Sequence, residues 1–287
     1  ARDPSGKATY LALTRDELRG KSRLLDFKLV GTRELMARDY VYQIKRLAHP
    51  RVHSPILGHM SEYIIGLKEY SERLVAADKE LGETRKPGET PAFLDLDQDE
   101  ISGVTEVDRY TWRIRLKGKY PQFSYWLAMP FFAPIPVEAD RFYSQPGMAE
   151  KNLTLDWFPV GTGPYMLTEN DPNSRMVLER NPHFRGEPYP SEGEATDRAA
   201  GLLADAGKSA PFIDRVVYSR EKEGIPYGNK FMQGYYDQSG ISNDNFDNAV
   251  RIASTGDAGL SEAMEARGIG LKTSVATSSY YLAFNWL

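Results

Sequence analysis

The chain has 287 residues, 41% apolar and 26% charged, with a formal net charge of −4 and no cysteine. Such a composition excludes a disordered or membrane-spanning chain and allows a sizeable core without metals or disulfides, most simply as two lobes. The mild acidity, with no dense Lys and Arg run, argues against a nucleic-acid partner, and the missing cysteines remove thiol catalysis while fitting a reducing cytosol or an exported protein.

The polar stretch Ala1 to Gly6 has no basic segment leading into an apolar run, so no secretory leader is read there; a mature exported form would look the same. Leu35, Tyr40, Val41, Ile44, Leu47 and Ala48 recur at helical spacing until His49-Pro50, which predicts a helix over about 37–48. Met60, Tyr63, Ile64, Leu67, Tyr70, Leu74 and Leu81 carry a second stripe, read as one helix that leaves at Gly82 and Pro87-Gly88. His53-Ser54-Pro55 is the loop between them. From Ile101 the period becomes two: Val104 and Val107 precede a turn at Asp108-Arg109, and Trp112, Ile114 and Leu116 alternate with Thr111, Arg113 and Arg115, a hairpin with one wet face.

Phe123 to Val137 is the most apolar stretch, but it is shorter than a membrane span and broken by Pro130, Pro134 and Pro136, so it is read as core. Pro159 to Gly163 marks a junction, with a lobe boundary placed near Trp157. Short strands are predicted at Tyr165 to Leu167, Met176 to Leu178 and Val216 to Tyr218. Gly186 to Pro211 reads as a surface insertion in which Ser191 and Glu194 form a capping box for a helix reaching about Ala206. Ser279 to Leu287 reads as an aromatic strand.

The candidate chemical motifs are weak. Gly161-Thr162-Gly163 lacks the third glycine of a dinucleotide fingerprint, Met166 standing in its place, and Pro164 removes an amide that a phosphate would need. Asp95, Asp97, Asp99 and Glu106 match positions 1, 3, 5 and 12 of a calcium loop, but Glu100 replaces the obligatory glycine, leaving a solvated acidic loop. His49, His53 and His59 are separated by prolines that deny them one helical face, and His183 stands alone. No Gly-x-Ser-x-Gly elbow occurs. Tyrosines beside small polar residues, as in Gly234-Tyr235-Tyr236-Asp237-Gln238-Ser239-Gly240, suit either a core edge or a ligand cleft.

Several runs taken together resemble the family 5 extracellular solute-binding proteins, the peptide- and nickel-binding components of ABC importers. They are Gly31-Thr32-Arg33-Glu34-Leu35-Met36-Ala37-Arg38-Asp39-Tyr40-Val41-Tyr42 with Lys45-Arg46-Leu47-Ala48; Tyr125-Trp126-Leu127 leading into Phe131-Phe132-Ala133-Pro134; Pro159-Val160-Gly161-Thr162-Gly163-Pro164-Tyr165; and Glu179-Arg180-Asn181-Pro182. The resemblance covers about 31–286. It implies a mixed α and β (α+β) fold like the type II periplasmic binding proteins of the peptide-binding family, with lobes that close over a peptide: 1–157 an inserted lobe and 158–287 part of the main lobe.

By the same resemblance, the Gly-Thr-Gly-Pro-Tyr turn returns the chain to the main lobe, its glycines serving backbone geometry. The implied ligand contacts are Gln238, Ser239 and Gly240 after one strand, and Tyr281 and Ala283 on one face of the last. The implied protein is periplasmic, or extracellular and membrane-tethered; it captures di- or oligopeptides or other small solutes, docks on an ABC permease, uses no cofactor or metal, and performs no covalent chemistry. The alternatives from other classes are a hydrolase with an unrecognised acidic pair and a partner-binding module without a small ligand. Three departures stand out. Met36 replaces the family's N-capping threonine, the 186–211 insertion is long, and the family's first strands and third region have no counterpart. The chain is therefore expected to be incomplete and prone to self-association through uncovered apolar surface.

Overall fold

A computed structural model describes residues 12–23, 26–27, 32–86, 89–254, 256, 258–274 and 277–284. The chain divides into two compact units, Ala1–Tyr218 and Ser219–Leu287.

The first unit is built on α2 (Ala37–Leu47), preceded by the single turn α1 (Arg15–Leu18). Ile44 and Leu47 of the predicted stripe are buried with Ala48 just past the helix end, but Ala37, Asp39, Tyr42, Gln43 and Lys45 are buried too, so α2 is enclosed on more than the one face that the spacing predicts. Met36 occupies the N-cap in extended conformation and offers no side-chain acceptor; its own N–H donates to Asp39 Oδ2 at 2.9 Å, so half of a capping box exists without its hydroxyl.

The stripe read as one helix over Met60 to Leu81 forms two, α3 (Leu57–Tyr63) and α4 (Leu67–Glu83). The break has a tertiary cause. The hairpin β1 (Val104–Glu106) and β2 (Trp112–Ile114) extends past its strands: Ile64 bridges Leu116, Ile65 N–H donates to Arg115 O at 3.1 Å, and Lys117 N–H donates to Tyr63 O at 2.8 Å. Backbone groups that a continuous helix would use internally are thereby spent on the hairpin. Gly66 stands at φ +81, and a Cβ there would lie 2.9 Å from Ser102 N, so only glycine turns the chain at this place. The Pro87-Gly88 exit lies outside the described residues.

β1 and β2 pair antiparallel in the register Val104↔Ile114, Thr105↔Arg113, Glu106↔Trp112, and the Trp112 ring stacks on Tyr40 at 5.3 Å. Phe123 to Val137 is only partly core. It forms α5 (Phe123–Leu127) and a 3₁₀ turn (Pro130–Phe132), which bury Phe123 and Phe132 but leave Tyr125, Leu127 and Met129 exposed. A second apolar cluster joins α6 (Val137–Tyr143) to Met148, Leu153, Leu155 and Phe158, and it is closed by Leu18 and Phe27 from the start of the chain. Lys151 Nζ donates to Leu18 O (2.8 Å) and Lys21 O (2.9 Å), which fixes that segment where α1 ends.

β3 (Tyr165–Asn170), β4 (Arg175–Arg180) and β7 (Arg215–Ser219) form a sheet in the order β3-β4-β7, with a bulge between Leu167 and Glu169. Gly161 and Gly163 do not behave as expected: neither stands at positive φ, and a Cβ on either would meet nothing within 4 Å. The clasp on this turn is Asn181, whose Nδ2 donates to Gly163 O (2.9 Å) and whose N–H donates to Pro164 O (2.8 Å). The 186–211 insertion is a small antiparallel pair, β5 (Glu187–Pro188) with β6 (Ser209–Ala210), around α7 (Ala195–Ala199). The cap of α7 is Glu194 with Asp197, not Ser191 with Glu194: Glu194 N–H donates to Asp197 Oδ2 at 3.0 Å, and the helix stops at Ala199 before Gly201 at φ +74.

The second unit holds α8 (Gly224–Met232), α9 (Phe246–Ala249), the hairpin β8 (Val250–Ile252) with β9 (Ala258–Leu260), and α10 (Glu262–Glu265). Residues 279–284 form no strand, contrary to the expectation, because nothing in the described residues pairs with their backbone.

Candidate functional site

Tyr235 and Tyr236 do not end a strand. They follow α8 through a Schellman cap: Gly234 at φ +83 donates its N–H to Phe231 O at 2.9 Å, and Tyr235 N–H donates to Lys230 O at 3.0 Å. The chain then runs as an open loop through Gln238, Ser239 and Gly240, with Gln238 and Gly240 exposed and Ser239 half-buried. Ser239 Oγ donates to Gly240 O at 2.8 Å. Among the described residues, the N–H groups from Tyr236 to Ile241 have no acceptor.

This loop is tied to α8 by side chains that sequence reasoning did not single out. Tyr236 OH donates to Glu221 Oε1 at 2.6 Å, and Lys230 Nζ reaches the same oxygen at 2.5 Å. The ring of Tyr236 lies against Tyr227, centroids 5.1 Å apart, and Tyr227 OH donates to Gln238 O at 3.3 Å. The hydrogen bonds from Lys230 and then Tyr236 hold the Glu221 carboxyl below its ordinary range, while the same carboxylate raises Tyr236 and Lys230. No short spacing pattern signals the group, since Glu221, Tyr227, Lys230 and Tyr236 meet only once α8 and its cap have formed.

Tyr281 and Ala283 lie on the exposed 277–284 stretch, Tyr281 at 86% exposure, and among the described residues no hydrogen bond or ring contact joins them to Gln238, Ser239 or Gly240.

In the first unit a cavity of about 510 Å³ lies beside α2 and β1, lined by Arg38, Tyr42, Lys45, Asp97, Glu100 and Glu106 among others. Its charges are mostly matched within the protein: Lys45 Nζ lies 3.1 Å from Asp97 and Arg38 lies 3.5 Å from Glu106. Tyr42 donates to Asp140 at 2.7 Å, and burial, then the Asp140 charge, push its hydroxyl well above the usual range. This is a structural polar network with no nucleophile beside a free base.

The acidic loop is likewise tied to cations, Asp95 to Arg141 (2.8 Å), Asp97 to Lys45 and Asp99 to Arg73 (3.3 Å). Among the described residues no group of three or more His, Cys, Asp or Glu is placed to hold a metal ion. The histidines are scattered: His49 Nδ1 accepts from Arg51 N–H, and His59 packs against Tyr63, Tyr120 and Trp126.

The chain belongs to the bacterial extracellular solute-binding proteins, family 5, whose model matches residues 31–286. Its fold class is accordingly the α+β, type II periplasmic binding protein class. The chain is 28% identical over 148 residues to the periplasmic oligopeptide-binding protein OppA of Salmonella typhimurium, a match covering 52% of this chain and 22% of that protein.

Solved structures similar to it include the substrate-binding domain of an oligopeptide ABC transporter of Bacillus anthracis (20% identity, 75% of this chain and 33% of that one, TM-score 0.48). Another is Haemophilus influenzae OppA in complex with RPPGFSPFR (17% identity, 75% and 33%, TM-score 0.45). The chain thus spans about a third or less of the length of these relatives. The family is extracellular, and among the described residues no helix is long and apolar enough to cross a membrane.

Proposed function

We propose that this chain serves the substrate-binding component of an ABC importer, capturing di- or oligopeptides outside the cytoplasmic membrane and presenting them to a permease without altering them. The observation that carries the reading is the family match across 31–286, and it is supported by a relative whose name describes oligopeptide binding. In this reading 1–157 is the inserted lobe and 158–287 part of the main lobe. Gln238, Ser239 and Gly240 meet the ligand's main chain, while Tyr281 and Ala283 supply an apolar wall.

Native mass spectrometry of the full-length protein, purified without added ligand and then offered a randomised library of tri- to pentapeptides, tests this. Retention of intact peptides is expected. Cleaved peptides would replace the reading with a hydrolase, and no retention at all would remove peptides as the cargo. The uncovered Tyr280, Tyr281, Leu282 and Phe284 also favour self-association of the chain by itself. Light scattering is expected to show mass rising with concentration, and a strictly monomeric profile would refute that part.

A further inference from the structure

Loop 236–241 is not a slack connection. At its start, Tyr236 is held by Glu221 (2.6 Å), Glu221 by Lys230 (2.5 Å), and the ring by Tyr227. In its middle, Tyr227 OH holds the Gln238 carbonyl. At its end, the turn Asn243–Asn245 and the preceding Ser242 sit close on α8 at two glycines one helical turn apart. A Cβ on Gly224 would lie 2.8 Å from Ser242 Cβ, and one on Gly228 would lie 3.4 Å from Asn245 Cγ with Nδ2 nearer still. The buried Ser242 hydroxyl has no partner, so close packing holds this end. The loop is strung across one helix and tied at three points, yet its amides from Tyr236 to Ile241 have no acceptors among the described residues.

A tethered segment with unengaged donors suits one kind of guest, an extended main chain whose carbonyls pair with those amides as an added strand would. Tethering matters because a loop already in its bound shape loses little conformational entropy when the guest arrives.

We infer that Tyr227, Glu221 and Lys230 are positioning residues that hold loop 236–241 ready to grip the main chain of an extended peptide, with Gly224 and Gly228 seating its far end. The inference rests on the peptide-capture reading. None of the three touches the guest; each acts through Tyr236 or the Gln238 carbonyl. Loss of any one frees the loop without removing core.

The test uses the full-length protein, the randomised tri- to pentapeptide library, and the variants Tyr227→Phe, Glu221→Ala and Lys230→Arg. In the wild type, hydrogen exchange at the amides of 236–241 is expected to be fast without peptide and slowed by it. Tyr227→Phe and Glu221→Ala are expected to weaken binding about threefold to tenfold, the worth of one hydrogen bond, with the wild-type melting temperature kept. Lys230→Arg, which keeps the charge and a donor, is expected to bind as the wild type does.

Wild-type binding with no slowing of exchange at 236–241, or with Tyr227→Phe and Glu221→Ala as tight as the wild type, overturns the inference while leaving capture intact. A wild type that retains no peptide removes the capture reading itself, and with it the guest assigned to this loop.

Discussion

Replacing Arg33 with methionine should cost the first unit about 3–5 kcal/mol at neutral pH, the usual consequence of stripping the partner from a buried ion cluster. Its guanidinium donates to Glu138 through Nε and one terminal nitrogen (2.9 Å each) and to Asp39 at 2.8 and 2.5 Å, tying the start of α2 to the first turn of α6. Asp39 is only 2% exposed and Glu138 is also buried, so Arg33→Met takes the guanidinium they share away from two buried carboxylates. The remaining donors, such as Met36 N–H on Asp39, soften but do not cancel that loss.

The pH dependence follows from the cause of the Glu138 shift. Burial alone raises its pKa, but the hydrogen bonds and charge of Arg33, with the residue's own amide, outweigh burial and hold it below the ordinary carboxylate range. A lowered folded-state pKa contributes stability that is present above the unfolded value, about 4.3, and is lost as pH falls through the folded one. In Arg33→Met burial is opposed only by the weaker lowering causes that remain, the residue's own amide among them, so the carboxyl takes up a proton more readily and the deficit against wild type should shrink as pH falls. Urea unfolding followed by tryptophan fluorescence at pH 7 and near pH 4.5 measures this, since Trp112, Trp126 and Trp157 all lie in the first unit. A loss below about 1 kcal/mol, no more than an exposed pair is worth, or one equal at both pH values, would refute the argument.

Three further outcomes are expected. Met36→Thr places the missing hydroxyl opposite the Asp39 N–H; because that N–H already reaches Met36 O at 3.0 Å, the gain should be about 0.5–1 kcal/mol in a thermal melt, the lower part of the capping range. Asn181→Ala removes both the Gly163 O and His183 N–H contacts of a buried side chain and should cost about 1–3 kcal/mol, with faster hydrogen exchange around His183; an unchanged melting temperature would show that the 161–164 turn needs no clasp. His49 has its pKa lowered, mainly by burial, so it should titrate by NMR below a free histidine, and its contribution to stability should fall as pH drops below about 6.5, where the unfolded chain binds the proton first.

Local pattern determined much of this protein. Helix α2, the 104–114 hairpin and the three strands β3, β4 and β7 stand where the period and the turn residues put them, because each depends on neighbours a few residues apart. The family resemblance, read from ordered short motifs, held across the whole matched region. What sequence could not decide were choices between groups equally able to do a job locally. Ile64 and Tyr63 fit one continuous stripe, and only the crossing of Leu116 and Arg115 breaks the helix there. Ser191 with Glu194 fits the box by spacing, yet in the fold Asp197 accepts from the Glu194 N–H and Glu194 itself is the cap.

The same distinction governs the candidate site. Gly234-Tyr235-Tyr236 looks like a strand end by composition, yet the left-handed glycine closes α8, and that closure swings Tyr236 onto Glu221 and Tyr227. The aromatic run after Ser279 has every mark of a strand, but a strand exists only against another edge. Sequence sets what each segment can become over one or two turns of chain; which hydrogen-bonding groups find partners, and so which segments are spent on structure and which stay open to a guest, is settled only when distant segments meet.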